Sequence, residues 1–224
     1  MHGASDAKPE SGLSQHGILP NVDTVVGIDL SGLTSGARGH TVAAHLILGL
    51  PLQVGDLYTV PRQLKGDRLL IDWIEERRPK VIAIDAPLSL PHSVLCTDPR
   101  CPRCEIGAAE YLARDVDRLA GGMPTAMLAA IAFRGIYLAR KLRERRYEVI
   151  EAYPAAAYRA MGATGKTYEE RANLVARRIP SFAADDHDEI DAVCSALIAA
   201  DYLTSPLVTP IRGTDGEIWR SGSI

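Results

Sequence analysis

The chain of 224 residues is 46% hydrophobic and 24% charged, with a formal net charge of -3 at pH 7. That length suits about one domain with a full buried core. The charge gives no sign of a broad basic surface for duplex nucleic acid, the four cysteines are too few for a disulfide-built fold, and no apolar stretch is long and charge-free enough to cross a bilayer.

A cytoplasmic, reducing setting is the simplest reading, because the opening MHGASDAKPESGLSQHG lacks the basic start and apolar centre of a secretory signal. Residues 1–21, rich in glycine, serine and charge, read as a flexible arm or expression remnant, leaving 22–224 as one folded domain. The apolar run Thr24 to Leu30 is short enough for a strand buried on both faces, cut by Ser31-Gly32 and a polar turn around 36–39. Thr41 to Leu48 and Asp56 to Pro61 are the next strands. Their close spacing predicts an antiparallel meander, since a parallel link needs a helix-length connection.

Gly66 to Arg78 carries Leu69, Leu70, Trp73 and Ile74 among charges, the pattern of an amphipathic helix. Lys80 to Asp85 is a further buried strand, stopped by Pro87. Residues 86–104 read as a loop. Helices are predicted over Glu105 to Leu119 and Pro124 to Arg146, the latter with cations at its C-terminal end. A strand over Tyr147 to Tyr153, a short helix over Ala155 to Met161 and a turn at 162–165 follow. The next helices span Thr167 to Arg178 and Asp186 to Leu203, and the tail from Pro206 reads as a hairpin or edge segment. This order predicts an α/β domain with a mixed sheet.

Acids placed just after apolar runs are the informative pattern. Asp29 closes VVGID, Asp85 closes VIAID, and Glu151 lies in VIEAY. A carboxylate there costs desolvation unless a cation or hydrogen bonds compensate, and strand carboxyl ends are where open α/β sheets bind ligands. The last helix adds Asp188 and Asp191 at i,i+3 spacing beside its apolar stripe, whereas Asp185 and Asp186 suit capping and the helix dipole. Several such carboxylates need a cation, and their hard oxygens favour Mg²⁺ or Mn²⁺, which would assist phosphodiester hydrolysis. His187 suits either proton transfer or a plain helix start. Arg134 and Lys166 are candidates for phosphate contacts, with carboxylate pairing or solvent exposure as the plainer reading.

His92, Cys96, Cys101 and Cys104 form a second constellation, in which the Cys101-x2-Cys104 gap is that of a metal knuckle. Structural Zn²⁺, ordinary reduced thiols and a redox pair all remain open. Cys194 falls on the apolar stripe of the last helix and reads as a core residue.

The motifs VVGIDLSG at 25–32, VIAIDAPLSLP at 81–91, FRGIYLARKL at 133–142, VIEAYPAA at 149–156, HDEIDAVCSA at 187–196 and DGEIW at 215–219 occur in one order. On them the chain resembles the family of domain-of-unknown-function class 429, predicted nucleases with a ribonuclease H-like fold. The resemblance implies a mixed five-stranded sheet with helices on both faces and three antiparallel strands first. It implies that Asp29 and Asp85 are the first-strand and fourth-strand acids, and Asp191 or Asp188 the acid of the final helix. HDEIDA is similar to the closing motif of Holliday-junction-resolvase-like enzymes, which use that helix face for metal. Glu151 departs from that scheme, as an extra ligand, a general base or a residue orienting Arg134 or Arg159.

The leading expectation is therefore a metal-dependent nuclease acting on nucleic acid or a phosphorylated small substrate, with no membrane partner. A non-catalytic nucleic-acid-binding or scaffold protein is the alternative. A nucleotide phosphohydrolase is the minor one, since GIDLSG also resembles the first phosphate loop of actin-like ATPases, but the chain is too short for their second domain. No GxxxxGK[ST] loop is present.

Overall fold

The computed structural model describes residues 22–31, 40–61, 65–98, 100–101, 104, 112–163, 167–205 and 208–221; the arm expected at 1–21, and Lys166, lie outside them. Strand β1 (Thr24–Asp29) pairs antiparallel with β2 (Val42–Ile47), which pairs antiparallel with β3 (Gln53–Thr59). Helix α1 (Gly66–Arg77) then carries the chain over to β4 (Val81–Asp85), which lies parallel to β1. The last strand, β5 (Glu148–Glu151), lies parallel to β4, giving the order β3-β2-β1-β4-β5. This is the mixed five-stranded sheet that the resemblance implies, with the meander first and the parallel strands entering through helices.

Between β4 and β5 lie α2 (His92–Leu95), α3 (Asp115–Ala120) and α4 (Ala129–Glu144). After β5 come α5 (Pro154–Ala160), α6 (Tyr168–Arg178), α7 (His187–Thr204) and a hairpin of β6 (Ile211–Gly213) with β7 (Gly216–Ile218). Strand alternation divides the core. Val25, Val81, Ala83 and Ile150 pack with α5, α6 and α7 on one face, while Val26, Ile28, Ile82 and Ile84 pack with Leu70, Ile74, Leu138 and Leu142 of α1 and α4 on the other. Both faces are covered, so the central strands are apolar throughout.

Helix α7 is apolar almost all round, buried continuously from Ala192 to Asp201. It comes so close to β1 that a Cβ on Gly27 would lie 2.1 Å from the Ala196 amide nitrogen and 2.2 Å from the Ala192 carbonyl oxygen. Only glycine in the strand, facing alanines on the helix, permits this crossing. A second close approach, of Gly135 on α4 to Ala86 and Pro87, holds the segment after β4.

Some boundaries differ from the sequence expectation. Strand β3 begins at Gln53 rather than Asp56, because this edge strand alternates exposed and half-buried residues and its start carries no apolar run. The 86–104 loop contains the single turn α2. The helix expected from Glu105 is observed as α3 only; residues 105–111 lie outside the description, and 112–114 are not helical. Asp117 fixes that start by accepting from the Arg114 amide at 3.0 Å, which caps the helix there. Pro124 opens a 3-10 turn, Thr125–Leu128, before α4 proper. The tail forms the expected hairpin, and Trp219 extends it as a parallel bridge to Ala152 at the end of β5.

Substituting Gly27→Ala forces backbone apart along the most buried helix, so a loss of about 3 kcal/mol or more is expected in urea unfolding. Substituting the exposed Gly162→Ala, where the Cβ meets nothing but φ is 82°, costs less, about 1 kcal/mol.

Candidate functional site

Strand parity decides which carboxylates share a face. Asp29 follows Val25 and Gly27, and Asp85 follows Val81 and Ala83, so both belong to the α7 side. They are register partners on adjacent parallel strands, which sets their backbones about 4.8 Å apart. Helix α7 crosses Gly27 at Ala192 and Ala196, so its preceding turn, carrying Asp188 and Asp191, stands at the carboxyl end of β1. The sheet and the helix thus bring four acids to one end of the domain.

Their electrostatics follow from that crowding. Burial, then the charges of Asp85, Asp191 and Asp188, push Asp29 well above the ordinary aspartate range, with Arg171 opposing. Burial and the charges of Asp191 and Glu151 do the same to Asp85, again against Arg171. Burial also raises Asp191, although two direct partners pull the other way. The Tyr158 hydroxyl donates to Asp191 Oδ1 at 2.7 Å, and Arg171 Nη1 donates to Oδ2 at 2.7 Å. Asp188 accepts from the His40 backbone amide. Among the described residues, no three of these carboxylates bring ligand oxygens within 4.8 Å of one another. Arg171 is the counter-cation of this end of the domain, and Asp191 is held by two donors.

His187 opens α7 at the surface, with its ring edge-on to Tyr168 at 5.4 Å between centroids. The flanking acids behave as caps: Asp186 accepts from the Glu189 amide at 3.0 Å, and the Asp185 amide donates to Glu189 at 2.7 Å.

Glu151 departs from the group. It shares strand parity with Val149, on the α4 side, and its carboxylate receives Arg114 Nη1 at 2.7 Å, Arg114 Nη2 at 2.5 Å and the Leu88 amide at 2.8 Å. Its partner is therefore Arg114 and neither Arg134 nor Arg159, the pairing that is one of the three roles open to it from sequence. Arg159 donates instead to the Ala120 carbonyl at 2.9 Å. Burial alone would lower the Arg114 pKa, but Glu151 and Asp117 outweigh it and keep the guanidinium charged. Arg134 is also removed from solvent. It donates to the Ser31 carbonyl at 2.7 Å, Thr41 Oγ1 at 2.6 Å and Asp67 Oδ1 at 2.9 Å, so it is a strut under the end of β1 and not a cation open to phosphate.

Sequence reasoning missed Tyr158, Arg171, Arg114 and Asp117. An Arg-x2-Asp pair at 114–117 was the visible trace of one network; Tyr158 and Arg171 are set by the packing of α5 and α6 against α7, which no local pattern encodes. A cavity of about 260 Å³ opens beside the acids, lined by Asp29, Asp85, Arg114 and Glu151 and by apolar Met123 and Ile131, with Tyr153 at its wall.

The His92 group converges. Its imidazole and the thiols of Cys96, Cys101 and Cys104 all offer ligand atoms within 4.8 Å of one another. Burial and the neighbouring thiols of Cys96 and Cys101 push Cys104 up to about 12. Cys194 is a buried thiol inside α7, as expected.

The sequence profile described as "Protein of unknown function (DUF429)" matches residues 27–206. No curated protein matches the chain. Among solved structures, one described as "Thermus thermophilus RuvC structure" is 15% identical, with a TM-score of 0.48, over 87% of this chain and 99% of that one. Among the described residues no helix is long and apolar enough to cross a membrane.

A carboxyl whose folded pKa is raised contributes stability that is complete below its ordinary value and is lost as pH rises through the folded value. The metal-free protein therefore gains from this pair on mild acidification. Asp29→Asn removes one repelling anion and is expected to raise the melting midpoint at neutral pH by about 2–4 °C while flattening that gain, as scanning calorimetry over about pH 5–8 reads directly.

Proposed function

The chain belongs to the DUF429 family, and we propose that it is a metal-dependent phosphodiesterase of the nuclease type, hydrolysing a phosphodiester of nucleic acid with Mg²⁺ or Mn²⁺. The observation that supports this is the in-register pair Asp29 and Asp85 at the carboxyl ends of adjacent parallel strands, with the acidic first turn of α7 beside it. Two carboxylates raised first by burial and then by like-charged neighbours are an unfavourable arrangement that a cation relieves.

The donor set fits a hard divalent ion, since all the atoms offered are carboxylate oxygens. Asp29 and Asp85 would hold it, with Asp191 and Asp188 from α7 completing the set. When bound, the ion supplies Lewis acidity toward a phosphoryl oxygen and a lowered pKa for water. Tyr158 and Arg171 orient Asp191, and Arg171 is the cation that this carboxylate exchanges on loading. His187, exposed one turn before Asp191, is the group free to carry a proton between the site and solvent. Arg114 answers the Glu151 charge beside the acids and stiffens the cleft wall. Met123, Ile131 and Tyr153 offer an apolar wall against which a sugar or base packs.

The net charge of -3 disfavours a long backbone track, so a short or structurally distinctive substrate fits better than extended duplex. The test is a cleavage screen of single strands, hybrids, branched DNA and nucleotides with each metal. Turnover is expected only with Mg²⁺ or Mn²⁺, and Asp29→Asn or Asp85→Asn should lower it by at least about 100-fold while the variant stays folded. Unaltered substrate binding with no metal-dependent turnover in any arm would favour a non-catalytic binding protein.

A further inference from the structure

We propose that His92, Cys96, Cys101 and Cys104 bind a structural zinc ion that staples the segment following β4 against the wall of the acidic cleft. The chemistry is that of a closed tetrahedral site, three thiolates and one imidazole, distinct from the oxygen donors at the strand ends.

Geometry carries the assignment. Zinc–sulfur and zinc–nitrogen bonds of about 2.3 and 2.0–2.1 Å at tetrahedral angles put sulfur atoms roughly 3.8 Å apart and nitrogen roughly 3.5 Å from sulfur. The His92 Nε2 to Cys101 Sγ separation is 3.5 Å, and all four ligand atoms lie within 4.8 Å of one another. Local backbone structure produces this convergence. The single turn α2 sets Cys96 one helical turn from His92, with the Cys96 amide donating to the His92 carbonyl at 2.9 Å. The Cys104 amide donates to the Cys101 carbonyl at 3.0 Å, closing the two-residue gap into a knuckle turn. Asp98 accepts from the Arg100 amide at 2.9 Å and shapes the approach to Cys101. The three cysteines are free thiols, not joined in a disulfide.

The site is anchored where a staple is useful. The His92 amide reaches Asp215 in the β6–β7 turn at 3.4 Å, and the same carboxylate accepts from the Asp115 amide at 3.0 Å, at the start of α3. Ser89 donates to the Asp215 carbonyl and accepts from Arg114, which holds Glu151. Zinc at His92 would thus brace the connection from Asp85 through Ser89 to α3 and the tail hairpin. Binding releases three thiol protons and leaves neutral imidazole and three thiolates on Zn²⁺, a net charge of -1.

The assignment is independent of catalysis, so its test does not use cleavage. The full chain, grown with zinc and purified under reducing conditions, should carry about one zinc per chain by plasma mass spectrometry, and Asp29→Asn should carry the same. After removal of zinc with a chelator, Co²⁺ alone should produce thiolate charge-transfer and tetrahedral visible bands, and Zn²⁺ should abolish them. Cys101→Ser and Cys104→Ser should lose the charge-transfer intensity and at least about 10-fold in affinity, while Cys194→Ser retains both. Should a serine variant fail to fold, thiol accessibility of the wild-type protein decides: Zn²⁺ should slow labelling of three cysteines by at least about 10-fold, reversibly with chelator. Substoichiometric zinc with no cobalt charge-transfer band, zinc lost from Asp29→Asn, or labelling unmoved by Zn²⁺ would each overturn it.

Discussion

The contact of α7 with β1 at Gly27 governs the rest of the molecule. A helix backbone normally stays about 10 Å from a sheet because side chains intervene; here glycine in the strand and Ala192 and Ala196 on the helix remove them. The helix consequently lies deep, buried from Ala192 to Asp201, and closes one face of the sheet together with α5 and α6. Its first turn then ends at the carboxyl edge of β1. The acids of α7 are beside Asp29 and Asp85 for a packing reason, so fold and candidate site rest on the same few atoms.

Charge is handled in two different ways at that edge. Glu151 is buried and answered by Arg114 in two hydrogen bonds and by the Leu88 amide, with Asp117 and Thr125 completing the network. Removing one partner from such a network costs about 3–5 kcal/mol, which is the signature of structure. Among the described residues Asp29 and Asp85 have no comparable answer: burial and their like-charged neighbours dominate, and Arg171 offsets only part of it. Natural sequences retain uncompensated charge chiefly where a ligand supplies the compensation. The contrast between the two kinds of acid, more than the number of acids, distinguishes the candidate site from the scaffold.

Much of this was legible in the sequence because it is local. Two apolar runs ending in aspartate announce strands and a sheet edge, and the i,i+3 spacing of Asp188 and Asp191 announces a helix face. The cysteine loop also showed its spacing, and the structure brings those four side chains together. What sequence could not give is pairing across the chain. Arg134 reads as either a phosphate contact or a carboxylate partner until the fold sets it against Asp67, and Glu151 reads as another strand-end acid until parity turns it toward Arg114. Tyr158 and Arg171 carry no local signal, since their role depends on how α5 and α6 lie over α7. Strand β3 began early because an edge strand with alternating exposure lacks the apolar signature on which strand recognition relies.

The most direct measurement is a crystal structure of the full chain soaked in Mn²⁺, with anomalous scattering to locate the ion. A peak is expected between Asp29 and Asp85, with Asp191 or Asp188 drawn in and the Arg171 pairing loosened. A peak absent from the strand ends at saturating Mn²⁺, with Asp191 still bound to Tyr158 and Arg171, would contradict it.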